Sequence, residues 1–173
     1  MAAWRKHFPG NVRDIVTGPL AGTDSAQSLV HADDWVFPGC PHTGPAIAVD
    51  GRGRTHIAWY TGKAGAAGIR YAGSGAGAFV LRGTIPTTHV AVTGLPGGGA
   101  VIAFDRDATG ARLSVAAVGT DGTMGAPVAL AGSVDVDHPA IAALDDRTAL
   151  VAWTRQGSVG SRLLVAAVEL PTR

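Results

Sequence analysis

Three histidines, His42, His89 and His138, each stand just ahead of an apolar run that reads as the first strand of a repeat. Imidazoles gathered at one mouth, with Cys40 nearby, have the chemistry to bind a transition metal. Their spacing matches no metal motif. Histidines that hydrogen-bond loop backbone are the plainer expectation, so no metal and no cofactor is expected. Cys40, between Gly39 and Pro41, reads as a small buried thiol in a tight turn rather than a reactive one. Three arginines, Arg13, Arg112 and Arg162, occupy equivalent places at the start of a third strand. Guanidinium forks converging on one face would suit a carboxylate. The alternative is a consensus residue that pairs with a neighbouring strand or loop. Arg13 is the best placed of the three, beside Asp14 and long loops. Trp35, Phe37 and Tyr60 have the flat faces a sugar ring stacks on, or else they plug gaps between sheets. Asp14, Asp34 and Asp105 are candidate acids against a default of turn carboxylates.

The elements that must position these residues follow from an internal repeat. Gly44-Pro45-Ala46-Ile47-Ala48-Val49-Asp50, continuing to Ile57-Ala58-Trp59, is nearly copied at His138-Pro139-Ala140-Ile141-Ala142-Ala143-Leu144, continuing to Val151-Ala152-Trp153, an offset of 94. A looser copy at Thr88–Val92 and Val101–Phe104 lies between them, so the repeat is about 47 residues. Short strands repeating at this period are the signature of a β-propeller, one four-stranded blade per repeat. Strands are expected at 45–49, 55–60, 68–72 and 78–83, then at 89–93, 99–104, 112–118 and 126–131. The last repeat offers strands at 139–144, 148–154 and 162–169; the first offers strand 2 around Trp4, then 13–18 and 26–31. The blades are therefore 1–35 (partial), 44–84, 88–132 and 138–173 (partial), within one all-β domain. Trp4, Trp59, Phe104 and Trp153 recur at one strand-2 position and read as core. Runs such as Leu163-Leu164-Val165-Ala166 mean burial on both faces.

A closed propeller needs at least about four blades. Three readings are open: a fragment of a longer product, a homodimer closing the ring, or another all-β form such as a sandwich. The 2→3 and 4→1 connections share one end of the blades and carry the long, polar and aromatic loops; the other end has short turns such as Gly97-Gly98-Gly99. That asymmetry marks the first end as functional.

With 14 basic and 13 acidic residues interspersed and a net charge of +1, nothing argues for a nucleic-acid partner. No run approaches the roughly 20 apolar residues of a spanning helix, so no membrane partner is expected. The single cysteine excludes an intrachain disulfide. Residues 1–7 carry no apolar signal core, which leaves the compartment open: secreted or periplasmic if a signal peptide precedes them.

The run Trp4-Arg5-Lys6-His7-Phe8-Pro9-Gly10-Asn11-Val12-Arg13-Asp14-Ile15, with Gly39-Cys40-Pro41-His42-Thr43-Gly44-Pro45 and Ala58-Trp59-Tyr60-Thr61-Gly62, resembles bacterial proteins of the sialidase-like (BNR-repeat) superfamily. The resemblance implies a six-bladed propeller with a site at the centre of one face. It further implies binding of a glycan or small acidic ligand, with exo-sialidase (glycoside hydrolase) activity in a full-length parent. The family's Asp-box turn is degenerate here: Ser74-Gly75-Ala76-Gly77-Ala78-Phe79 keeps the serine and the aromatic but not the aspartate. Active members pair a tyrosine nucleophile with a glutamate, whereas Glu169 is the only glutamate in this chain. The expected ligand-binding set is Arg5, Arg13, Trp35, His42 and Tyr60, with Asp14 and Tyr60 as the catalytic candidates. The alternative is a non-catalytic propeller scaffold for protein or glycan interaction.

Overall fold

A computed structural model describes residues 1–21, 26–75, 78–85, 87–106, 112–130 and 136–170. Among them the fold is all-β, built of four antiparallel sheets, none closed into a barrel. Sheet I comprises β1 (Ala2–Phe8), β2 (Val12–Gly18) and β3 (Ser28–His31). Sheet II comprises β4 (Ala46–Val49), β5 (Thr55–Thr61), β6 (Gly68–Gly75) and β7 (Ala78–Ile85). Sheet III comprises β8 (Val90–Gly94), β9 (Ala100–Arg106), β10 (Arg112–Val118) and β11 (Val128–Ala129). Sheet IV comprises β12 (Val136–Ala143), β13 (Thr148–Gly157) and β14 (Gly160–Glu169). Each sheet is a meander of consecutive strands.

Successive residues of a strand point to opposite faces, and here the two faces of one strand serve two interfaces. On β5, Ile57 and Trp59 pack back onto Ile15 and Val30 of sheet I. Ala58, between them, packs forward with Ile69 and Tyr71 onto Ile102 and Phe104 of sheet III. Sheet III repeats the arrangement: Val101 and Ala103 pack forward onto Val151 and Trp153 of sheet IV. The aromatic of strand 2 thus always faces the preceding sheet, and Trp59, Phe104 and Trp153 are all buried. Trp4 is only half-buried, because Ala3 takes the face toward sheet II and leaves the Trp4 ring outward.

Several strands depart from their expected limits, β11 to β14 for visible reasons. β11 is shorter because Pro127 has no N–H to give the ladder. The β13–β14 hairpin is longer, since Gly157 pairs with Gly160 across a two-residue turn. β12 starts earlier and is bulged between Asp137 and Ala140, where His138 adopts a left-handed φ of 53°.

At the short-turn end, backbones of adjacent sheets nearly touch. A Cβ on Gly51 would lie 1.9 Å from the Pro96 carbonyl oxygen, and one on Gly94 would lie 2.3 Å from that of Val49. The buried Asp50 carboxylate ties this junction. It accepts N–H groups from Arg52 (2.9 Å), Arg54 (2.9 Å) and, across the sheets, Gly99 (2.8 Å), plus the Arg54 guanidinium. His56 donates Nε2–H to Asp50 at 3.2 Å and receives the Tyr71 hydroxyl at Nδ1 (2.7 Å). Burial pushes the Asp50 carboxyl up, but these hydrogen bonds outweigh it and hold it well below the usual carboxylate range. Burial lowers the His56 pKa, and it pushes Tyr71 up to about 12. The imidazole is therefore neutral in the fold.

Two outcomes are expected. Trp59→Ala should cost about 3–5 kcal/mol in urea unfolding, and Gly51→Ala about 1–3 kcal/mol by overpacking. Stability should also fall in two acid stages. Below pH ~6.5 the unfolded chain protonates His56 while the fold resists, and below pH ~4 it protonates Asp50 while the fold resists. His56→Gln should remove the first stage of a pH series of melting curves and leave the second.

Candidate functional site

The end opposite the Asp50 junction holds a cleft of about 290 Å3, lined by His42, Thr43 and Gly44, Tyr60 and Ile69, Thr88, His89 and Val90, and His138 and Pro139. These residues come from the entries to β4, β8 and β12 and from the end of β5 with the start of β6. The three histidines that the repeat sets ahead of each first strand are thus brought together across three sheets. The His89 and His138 rings lie 4.3 Å apart, tilted by 38°. The bulge in β12 and the left-handed His138 backbone aim that ring, and such local strain is common at binding sites.

His89 has an orienting partner. Its Nδ1 lies 2.5 Å from Asp105 Oδ2, at the end of β9. A carboxylate on Nδ1–H fixes the tautomer and turns Nε2 into the acceptor, the arrangement used to hold imidazoles for proton transfer or ligand contact. Asp105 is itself held by the Thr87 hydroxyl and by the backbone N–H groups of Thr88 (3.3 Å) and His89 (3.0 Å). Burial raises its pKa, but these donors more than offset that and keep it below the ordinary value.

Arg5 stands behind one wall. Its guanidinium donates to the carbonyl oxygens of Arg13 (2.8 Å), Thr43 (3.3 Å) and Tyr60 (2.6 Å). It also lies 4.9 Å from the centre of the Trp35 ring. Trp35 is buried, stacked on Phe37 at 5.3 Å and edge-on to Tyr60 at 5.7 Å. Arg13 gives Nε–H to the Phe37 carbonyl (3.0 Å) and its backbone N–H to that of Trp35 (2.8 Å). Of the expected ligand-binding residues, then, His42 and Tyr60 line the cleft. Arg5 and Arg13 give their donors to backbone carbonyls, and Trp35 lies between the Arg5 guanidinium and the Phe37 ring, behind the cleft wall.

Asp14 is buried beside that loop. Burial and the neighbouring Asp33 charge raise its pKa, against hydrogen bonds from the Trp35 and Asp34 backbone. It does not line the cleft, so it stands apart from Tyr60 as a catalytic partner. Of the three repeated arginines, Arg13 is in sheet I with its Nε on the Phe37 carbonyl and Arg162 is exposed opposite Arg155 in sheet IV, so these two do not converge; the Arg112 side chain lies outside the described residues. Cys40 is exposed, not buried as its turn suggested. Among the described residues no group of three or more His, Cys, Asp or Glu is arranged to hold a metal ion.

Asp33 was not legible as a centre of the site's support, yet it is. Fully buried, it accepts from Trp59 Nε1 (2.6 Å) and His31 Nδ1 (2.9 Å), and it pairs with Arg70 Nε at 3.0 Å. Two of these partners belong to sheet II, so no local spacing announces them. The Asp105–His89 pair was equally hidden, since its members are 16 residues apart, one at the end of β9 and the other just ahead of β8.

No protein-family model matches the chain, and no curated protein matches it in sequence.

Asp33→Ala should cost about 3–5 kcal/mol, since it leaves the Arg70 charge and the Trp59 N–H buried without a partner. Chemical denaturation with tryptophan fluorescence reads this directly. A loss under about 1 kcal/mol would show that Asp33 does not anchor the loop.

Proposed function

We propose that the chain is part of a sialidase-like β-propeller that binds an acidic sugar in the histidine cleft. The propeller reading is supported by the order of the sheets. Each is a meander, each packs on the next through matching faces, and β8 neighbours both β4 and β12. The observation that carries the ligand reading is the meeting of His42, His89, His138, Tyr60 and Thr88 in one cleft. Imidazoles supply N–H donors, charged when protonated, for a carboxylate. The Tyr60 and Thr88 hydroxyls suit the sugar's own hydroxyls, and a site of this size fits a single ring.

The function is binding rather than turnover. The tyrosine–glutamate pair that the resemblance implies has no counterpart in the cleft. Glu169 pairs in register with Thr148 at the far, short-turn end of sheet IV, and it is exposed there. Tyr60 is in the cleft but has no carboxylate among the other lining residues to activate it.

Isothermal titration with N-acetylneuraminate, its methyl ester and N-acetylglucosamine tests this. The free acid should bind, and the uncharged sugars should bind at least about tenfold more weakly, the loss expected on removing a charge-assisted hydrogen bond. His42→Ala and His138→Ala should each weaken the acid about tenfold or more, and no release from a fluorogenic sialoside is expected. Equal affinity for acid and ester, or unchanged binding in both variants, would sink the reading.

A further inference from the structure

The outer face of sheet IV is apolar and uncovered. Leu163 is 73% exposed and Val165 60% exposed on β14, beside Leu150 on β13. The internal repeat shows what this surface is made for. Leu163 and Val165 stand 94 residues after Ile69 and Tyr71, the same offset that relates the two best copies. Ile69 and Tyr71 are 0% and 1% exposed, because sheet III lies over them. Ala140, Ala142 and Ala152 likewise repeat Ala46, Ala48 and Ala58, which pack against sheet III. The face that sheet II buries under the next repeat is therefore present on sheet IV with nothing over it among the described residues.

The other end of the stack carries the complement. Strand-2 aromatics face the preceding sheet, and Trp59, Phe104 and Trp153 are each buried in such an interface. Trp4 holds the same strand-2 place in sheet I, outward on a face backed by its cross-strand partner Val16.

We propose that a second copy of this chain docks head to tail on sheet IV, seating its Trp4 face against Leu163 and Val165. The contact buries between chains what each internal repeat buries within the chain. It is heterologous, and two copies making it reciprocally close a symmetric dimer. The partner is a second copy because the covering surface needed is the backward face of a repeat, and sheet I presents one.

Light scattering on the purified chain at high micromolar concentration should give about twice the 17.4 kDa chain mass. The double variant Leu163→Asp/Val165→Asp should give the single-chain mass with an unchanged far-UV dichroism spectrum, since both side chains are exposed in the monomer. In a Cys40→Ser background, mixing Trp4→Cys with Leu163→Cys chains should yield a mixed disulfide dimer. Larger assemblies that the aspartates dissolve would be the same contact left open. A monomeric wild type, a mass unaffected by the aspartates, or Leu163→Cys chains cross-linking only to themselves would each overturn the proposal. None of these readouts depends on a ligand, so they stand or fall apart from the cleft.

Discussion

The structure depends on burying both faces of its interior sheets. A strand such as β5 cannot place Ile57 and Trp59 on one side and Ala58 on the other to advantage unless separate sheets cover each side. This turns a two-residue alternation into a long-range instruction: on β5 the large Ile57 and Trp59 look back while Ala58 looks forward, and on β6 Ile69 and Tyr71 look forward. Dispersion and hydrophobic burial along these faces dominate the stabilisation. The near-contact at Gly51 and Gly94 shows how closely adjacent sheets approach at the short-turn end.

The polar groups follow from the same packing. Backbone brought so close must have its N–H groups satisfied, and the Asp50 carboxylate does this for Gly99 across the junction. Asp33 does the corresponding work at the other end, holding Trp59 and Arg70 from a loop of sheet I. With that loop anchored, Arg5 can pin the Thr43 and Tyr60 carbonyls that shape the cleft wall. The cleft is thus the open end of a stack whose other end is closed by backbone contact.

The candidate site was partly visible beforehand. His42, His89 and His138 shared a repeat position, and a shared position in stacked repeats implies proximity, so their convergence could be anticipated. Trp35 and Arg5 were singled out by residue type, but type does not tell whether a ring face or a guanidinium is already occupied. Arg5 meets Thr43 and Tyr60 from 38 and 55 residues away. No pattern in the chain records such encounters, because they depend on how two sheets happen to be juxtaposed.

The sequence alone determined the strands, their meander order and the buried strand-2 aromatics Trp59, Phe104 and Trp153, because these depend on local alternation, turn chemistry and a repeat that can be counted; it also put both faces of the Leu163-Leu164-Val165-Ala166 run inside, whereas Leu163 and Val165 are exposed. Tertiary structure alone decided which donors remain for a ligand. It set Asp105 against His89, gave the Arg5 and Arg13 donors to backbone carbonyls, and left Leu163 and Val165 bare where their repeats are covered. The physical reason is that hydrogen bonds and burial are properties of neighbours in space, whether those neighbours come from a partner strand, a loop or another sheet.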